Sequence, residues 1–432
     1  ALAIAERVLS WMPDDESCYR SVLWRLNFIS PPPWQKIHQA CQAFNRFCQA
    51  YCATLSPLQS TPRNAHARLR IGYVSADFRD HPVGYFMQPI LAHHDRSRFE
   101  VYCYHYNQVY MQQTQRLQSL VEHWVDCGEF SDNAFRQRIV DDELDILVEL
   151  SGVTDGNILP LIAQKLAPIQ VSYLGYPNSS CLSSIDYRIT DIYVSPAEQT
   201  PCGTEQRVRL PFAYHCYQPP ETARDLPVMP TPALRNGFLT FASFNAYQKV
   251  SEEIFALWIQ VLQQHPTSRF LMQARVLNDA ATCQQIAQRF IAAGISAERL
   301  SLLHGNAVLA EHLQVYHQVD VCLDTYPYNG GTTTCNALWM GVPTLSLCGE
   351  TQASRMGYSI LSTAGLSAWV AFQATEFVEK ARTLTADIQQ LQQLRASMRE
   401  RLQASPLMDT EGFTRALEQT YQKLHHHHCN QL

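Results

Sequence analysis

The stretch Leu323-Asp-Thr-Tyr-Pro-Tyr-Asn-Gly-Gly-Thr-Thr-Thr-Cys-Asn336, continued by Ala-Leu-Trp-Met-Gly-Val-Pro343, leaves this chain few ways to fold. The apolar run from Asp320 to Leu323 reads as a buried strand. It meets a glycine turn, Asn329-Gly330-Gly331, and then a hydroxyl-rich run that starts a helix. A buried strand feeding a helix through a short polar turn is the unit of a parallel α/β sheet, because parallel strands need a crossover between them. The glycines let backbone N–H groups approach a ligand closely, and Thr332, Thr333 and Thr334 are expected to cap the helix while offering hydroxyls. A helix N-terminus carries partial positive charge, so phosphate, as in a nucleotide diphosphate, is the guest this segment suits. An ordinary crossover whose threonines only cap would look the same.

The pattern repeats along the chain. Leu69 to Ser75, Phe99 to Tyr104, Ile146 to Leu150, Ile169 to Leu174 and Tyr187 to Thr190 read as buried strands, with helical patterns between several of them. A proline-rich stretch, Pro219 to Pro232, interrupts this alternation. A second set follows at Leu239 to Phe244, Arg269 to Gln273, Leu300 to Leu303, Val319 to Leu323 and Thr344 to Leu347. The expected class is α/β, with two doubly wound domains whose carboxyl strand ends face a cleft where ligands bind.

The N-terminal part is helical: Leu2, Ile4, Ala5, Val8 and Leu9 share a stripe, as do Leu23, Leu26 and Ile29, and then Ile37, Cys41, Phe44 and Cys48. The opening Ala-x-x-Val-Leu-x-x-x-Pro-Asp-Asp resembles the second helix of a tetratricopeptide repeat and its turn, which suggests further repeats upstream. Ser56 to Ala67 reads as a linker, and from Ala374 the apolar spacing is helical again. The expected segments are 1–58 (helical), 59–225 and 226–373 (the two α/β domains) and 374–432 (C-terminal helices packing back across the first domain, and a tail).

Composition narrows the function. Charged residues make up 17% and hydrophobic residues 46%, which suits large buried sheets. The net charge of -6 leaves no bulk positive field for nucleic acid or an anionic membrane, so any anion site must be local. No apolar run is long enough for a membrane span. The cysteines are scattered without a Cys-x-x-Cys pair, which points to reduced thiols, a cytoplasmic address and no zinc site. The chain begins Ala-Leu-Ala without an initiator Met, as a fragment or processed product would. His425 to His428 read as a solvated tail.

Several residues could carry chemistry. His81 sits in the polar loop after the first strand, and Pro82 biases its backbone away from helix. There it could take a proton from an acceptor hydroxyl near neutral pH, or simply cap a helix. After the strand ending at Phe244, Asn245 and Lys249 enter the same region, where a lysine could neutralise a departing diphosphate. A surface lysine before the next helix is the plainer reading. His312, read as opening the helix before the Val319 to Leu323 strand, could lie against a nucleobase or be merely solvated.

These motifs together resemble the O-GlcNAc transferase and SPINDLY family of GT-B glycosyltransferases, in its bacterial and plant branch. The carriers include Ile71-Gly-Tyr-Val-Ser-Ala-Asp-Phe78 with His81-Pro82, Asp145-Ile-Leu-Val-Glu-Leu-Ser-Gly152, Ala167-Pro-Ile-Gln170, Leu174-Gly-Tyr-Pro177, Asp186-Tyr-Arg-Ile-Thr-Asp191, Phe244-Asn245 with Lys249, Asp320-Val-Cys-Leu-Asp-Thr325 and Gly349-Glu-Thr-Gln-Ala-Ser-Arg355. The resemblance covers nearly the whole chain, from about Ser21 to Tyr421.

The resemblance implies inverting transfer of a sugar from a nucleotide donor, UDP-GlcNAc first, to Ser or Thr hydroxyls of proteins, with no essential metal or other cofactor. It places His81 at the reacting centre as base or acceptor-positioning group, Lys249 on the diphosphate, His312 on the base, and Thr332 and Thr333 on phosphate. Gly330, Gly331, Thr334, Asn336 and Asn245 join the donor site, and Gln170, Tyr176 and Pro177 the acceptor side or its support. Three positions depart from the family pattern. Gly331 stands where animal enzymes have histidine, Asn336 where Asp or Glu commonly meets the ribose, and Val153 where many relatives have His or Tyr. The triple threonine and Cys335 look like the plant branch that transfers fucose from GDP-fucose. The other readings are a non-catalytic scaffold that has lost donor binding and a nucleotide-sugar epimerase on the same architecture.

Overall fold

A computed structural model describes residues 1–59, 67–197, 203–305 and 308–430. Part of the Ser56 to Ala67 linker therefore lies outside the described residues. The chain forms two compact units: Ala1–Gln218 with Thr410–Leu432, and Pro219–Asp409.

The first unit is built on seven parallel strands: β1 (Leu69–Ser75), β2 (Phe99–His105), β3 (His123–Asp126), β4 (Ile146–Glu149), β5 (Ile169–Ser172), β6 (Tyr187–Asp191) and β7 (Gln206–Leu210). Their order is β3-β2-β1-β4-β5-β6-β7, so the winding reverses between β1 and β4. Every residue of β4 and β5 is buried, Glu149, Gln170 and Ser172 included, as central parallel strands covered on both faces require. The edge strands β3 (His-Trp-Val-Asp) and β7 (Gln-Arg-Val-Arg-Leu) are missing from the expected set because edge strands keep polar residues and half their surface in water.

Three N-terminal helices, Leu2–Trp11, Glu16–Leu26 and Trp34–Ala53, pack into this unit. Their apolar stripes merge with the sheet's core: Val22, Leu26, Ile37, Phe44 and Cys48 share one cluster with Tyr104, Leu147, Val153 and Leu182. The segment expected to stand apart as 1–58 thus shares the core of the first α/β region. Cys41 and Cys181 form a disulfide between the third helix and the loop before β6. This departs from the expectation of reduced thiols throughout; residues 140 apart in sequence meet only through the packing of that helix on the sheet.

The second unit carries six parallel strands: β8 (Thr240–Ser243), β9 (Arg269–Ala274), β10 (Leu300–His304), β11 (Val321–Leu323), β12 (Thr344–Leu347) and β13 (Val370–Ala371). Their order is β10-β9-β8-β11-β12-β13, with the reversal between β8 and β11. The 374–432 segment divides. Helices Ala374–Thr385 and Ile388–Gln403 belong to the second unit, where Phe377, Ala381, Leu384 and Leu391 enter its core. Helix Thr410–Cys429 belongs to the first, with Phe413, Leu417 and Tyr421 buried, and it runs on through His425–His428, the stretch read as a solvated tail, whose side chains are partly or fully exposed on the helix. Among the described residues no helix is long and apolar enough to cross a membrane.

Candidate active site

Ligands of doubly wound sheets bind at the carboxyl ends of the strands where the winding reverses. Each unit has candidate residues at that place.

In the first unit, β1 ends at Ser75 and the loop 76–81 runs into helix Pro82–His93. His81 is that helix's N-cap, extended at φ -148 and ψ 152, and its Nδ1 accepts the Val83 N–H at 3.3 Å. The loop packs tightly on Gly84 of this helix, where a Cβ would lie 2.4 Å from the Arg79 carbonyl oxygen. Asp77 is buried with Oδ2 3.4 Å from His81 Nδ1, and Arg79 Nη2 donates to Asp77 Oδ1 at 2.8 Å. Burial lowers the His81 pKa; Asp77 pulls it up and Arg79 pushes it further down. His81 lines a cavity of about 580 Å³ together with Asp77, Arg79, Asn107 and the Val153–Gly156 turn after β4, and with Arg20 and Trp24 of the second helix.

Three acceptor-side candidates are internal instead. Gln170 is fully buried: Nε2 donates to the Ile162 and Ser184 carbonyls, and Oε1 accepts the Leu166 N–H. The Tyr176 hydroxyl donates to the Leu23 carbonyl and accepts from Asn27 Nδ2, which fixes helix Glu16–Leu26 on the sheet. Pro177 is buried beside it. Val153 is 1% exposed, a core residue whose edge reaches the cavity.

In the second unit, β8 and β11 deliver a connected cluster. Asp324, just past β11, is buried and gathers donors: its Oδ1 accepts from Gly330 N and Thr325 N at 2.8 Å and Asn245 Nδ2 at 3.1 Å, and its Oδ2 from Ser346 Oγ at 2.7 Å. That carboxylate shapes the glycine turn, and a Cβ at Gly330 would lie 2.8 Å from Thr334 Oγ1 and 3.0 Å from Asn245 Oδ1, so a side chain there would displace one of them. Lys249 follows β8 on a short 3-10 turn, Tyr247–Lys249. Its Nζ donates to the Asn329 carbonyl at 3.1 Å and stands 4.1 Å from the centre of the Tyr328 ring. The residue is half-buried overall but its ammonium is enclosed, and burial brings its pKa down to about 8 against the pull of Asp324. Burial likewise raises the Asp324 carboxyl to about 6, opposed by Ser346, the Gly330 and Thr325 N–H groups, and Lys249.

Helix Thr332–Trp339 starts here, with Gly331 as its N-cap and no side-chain cap. The threonines therefore do not cap, contrary to the expectation; they occupy the first helical positions. Thr334 is buried and donates to the Gly330 carbonyl at 3.1 Å, while Thr332 and Thr333 are partly exposed. Asn336 is buried one turn in. His312 lies in the last turn of helix Leu309–Gln314, not at its start, and meets Phe244 edge to face at 5.6 Å. Phe244 stacks on Tyr316 at 3.9 Å, and the Tyr316 hydroxyl points at the Thr333 carbonyl at 3.5 Å. Gln273 Nε2 donates to the His304 carbonyl, so its Oε1 faces His312 Nδ1 at 2.7 Å and that nitrogen carries the proton. Burial lowers the His312 pKa. The second unit thus places a flat imidazole, a cation and a helix start with uncommitted N–H groups around one loop.

Asp77, Arg79, Gln273 and Asp324 escaped the reading of the residues alone. Asp77 and Asp324 stand inside motifs quoted for the family, but nothing in their spacing showed which groups they hold. Among the described residues no three His, Cys, Asp or Glu side chains are placed to hold a metal ion.

Two Rossmann-like α/β units with all-parallel sheets define the class as GT-B. Residues 49–217 and 222–417 match glycosyl transferase family 41, and the chain belongs to that family. It is similar to an Oryza sativa subsp. japonica protein named a probable UDP-N-acetylglucosamine-peptide N-acetylglucosaminyltransferase SPINDLY, at 37% identity over 98% of this chain and 46% of that one. An Arabidopsis thaliana protein with the same probable activity in its name, SEC, is 32% identical over 84% of this chain and 38% of its own. The chain thus spans about half the length or less of these curated relatives. A solved mutant of the Thermobaculum terrenum O-GlcNAc transferase superposes with a TM-score of 0.90 and 32% identity, covering 100% of this chain and 81% of that one. Anabaena HepE in complex with UDP-glucose, at 13% identity and a TM-score of 0.52 over 82% of this chain and 100% of its own, shares the fold alone.

Proposed function

We propose that this chain transfers a sugar, GlcNAc from UDP-GlcNAc, to Ser or Thr hydroxyls of proteins with inversion and without a metal, in the cytoplasm. The observation that carries the reading is the enclosed Lys249 ammonium on the Asn329 carbonyl, beside the Gly330–Thr334 helix start, in a family 41 chain. A cation and oriented N–H groups next to each other stabilise a departing diphosphate more than a bound one, which lowers the barrier. The acceptor oxygen bonds to the anomeric carbon as the bond to the diphosphate breaks, and the bonding pair leaves with the phosphate. The partly exposed Thr332 and Thr333 are assigned to phosphate, His312 to the base, Asn245 and Asn336 to the donor's sugars, and His81 to the acceptor oxygen. Tyr176, Pro177 and Gln170 support the acceptor side from within the core.

The test is transfer of labelled sugar to a pool of proteins from UDP-GlcNAc and, separately, from GDP-fucose. Lys249→Ala is expected to lower transfer about a hundredfold or more while the fold survives. Near-normal turnover in the variant rejects the assignment. Transfer from GDP-fucose alone replaces the donor, and calorimetry showing no binding of UDP or GDP makes the chain a scaffold.

A further inference from the structure

The two units repeat one device at the strand just past the reversal of winding. In the second unit Asp324, after β11, takes the Thr325 and Gly330 N–H groups of the turn that follows, and Ser346 Oγ from the neighbouring β12. In the first unit β4 holds the place of β11 and β5 that of β12. Glu149 ends β4 and makes the same set of bonds. Its Oε2 accepts the Ser151 and Gly152 N–H groups at 3.1 and 2.8 Å, and its Oε1 accepts Ser172 Oγ of β5, its register partner, at 2.5 Å. The carboxylate is 1% exposed and forms no ion pair among the described residues. Burial raises its pKa against the pull of those three donors, and Glu205 adds to the rise. The turn so held walls the cavity of about 580 Å³: Val153, Thr154, Asp155 and Gly156 line it opposite His81. It is pressed from two sides. A Cβ at Gly152, φ +54, would lie 2.3 Å from Tyr176 Cβ, and one at Gly156, φ +71, would lie 2.6 Å from Ala76 Cβ in the loop that leads to His81. At its tip the turn is tied only by Asp155 to Arg20 at 2.9 Å, and with Asp155 97% exposed such a pair holds weakly. Its place is therefore set from the base.

We infer that Glu149 is a positioning residue for the acceptor, on the reading that this cavity receives it: from inside the core its carboxylate fixes the 151–156 turn opposite His81. Asp324 does the same for the donor's turn. Glu149 touches no substrate, and its effect reaches the acceptor through the backbone it holds.

Hydrogen exchange on the full chain reads the turn without any substrate. Glu149→Ala strips three donors of their acceptor, and exchange across 151–156 is expected to rise about tenfold or more while 329–334 keeps its wild-type rate. Glu149→Gln is the conservative rescue: its Oε1 can take both N–H groups and its amide can donate to Ser172 Oγ, so exchange is expected within about threefold of wild type. The kinetic arm follows transfer from UDP-GlcNAc to one acceptor protein. In Glu149→Ala the kcat/KM for that acceptor is expected to fall about tenfold or more, with UDP affinity by calorimetry within about twofold of wild type, and Glu149→Gln is expected to recover most of the loss. A carboxylate that only stabilises the unit would not separate acceptor from donor in this way. Should Glu149→Ala fail to fold, Glu149→Asp, whose carboxylate falls one carbon short of the turn, takes its place with the same expectations. A turn that stays protected overturns the inference, as do equal losses of acceptor use and UDP affinity, or a Gln variant no better than Ala. Because exchange needs no donor, a wild-type chain that transfers nothing while the variant's turn loosens sinks the transferase reading and leaves the hold on the turn standing.

Discussion

Lys249 shows how one enclosed charge ties folding, binding and pH together. Its folded pKa of about 8 lies below the ordinary 10.5, so between those values the unfolded chain binds more protons. This group therefore costs stability in full below about pH 8, and the cost fades as pH rises toward 10.5. An anionic diphosphate favours the ammonium, so donor binding is expected to take up protons and to weaken as pH climbs through about 8. Calorimetry with UDP on either side of that pH, in buffers of different ionisation heat, checks both; an affinity flat across the range would remove Lys249 from the diphosphate. Asp324 gives a second prediction. Asp324→Ala strips four donors of their acceptor at once, and UDP binding is expected to fall at least about tenfold, with a stability loss of about 3–5 kcal/mol by denaturant unfolding. At this scale the sequence displayed Lys249, His81 and the threonines because their positions after strands announce them. It hid Asp324, Gln273 and Arg79, whose roles lie in the groups they hold.

Among elements, helix Thr410–Cys429 returns to the first unit through a buried polar knot. Glu418, 1% exposed, accepts from the Asp95 N–H at 2.7 Å and pairs with His94 Nδ1 at 3.0 Å, while His94 Nε2 meets the Tyr73 hydroxyl at 2.9 Å. Removing one partner of such a knot leaves the others buried and unpaired. Glu418→Ala is expected to destabilise the chain by about 3–5 kcal/mol and to raise hydrogen exchange along this helix ahead of the sheet. Uniform exchange in the variant would show that the helix is held by Phe413, Leu417 and Tyr421 alone. The interior strands were legible because burial on both faces favours short runs of apolar and uncharged polar residues, as in β4, β5, β8 and β12, which are buried throughout and carry only one charged residue, Glu149. The edges β3 and β7 were not, because one side of each is left unpaired and their residues are largely polar, whereas the edge β10 was read from its leucine-rich run; β13, two residues long, is too short to carry a pattern. The start of helix Thr332–Trp339 was legible in place but not in capping, since Gly331 supplies the cap by backbone alone.

For the whole molecule, the units are not the sequence's segments. The N-terminal helices carry an apolar stripe and a tyrosine tie through Tyr176, and they complete the first unit's core; the last helix joins it from the far end of the chain. By itself the sequence determined the α/β class, the two alternations and their proline-rich divide, and the family resemblance, because strand burial, helix periodicity and turn chemistry are local properties. Only the tertiary structure decided which polar residues are spent inside the core, such as Gln170, and which cysteines meet. It also decided that Asp77 stands between Arg79 and His81, one oxygen toward each, and that one buried carboxylate, Asp324, shapes the glycine turn. Those outcomes depend on atoms brought together from distant positions, and on the cost of leaving any buried donor or charge without a partner.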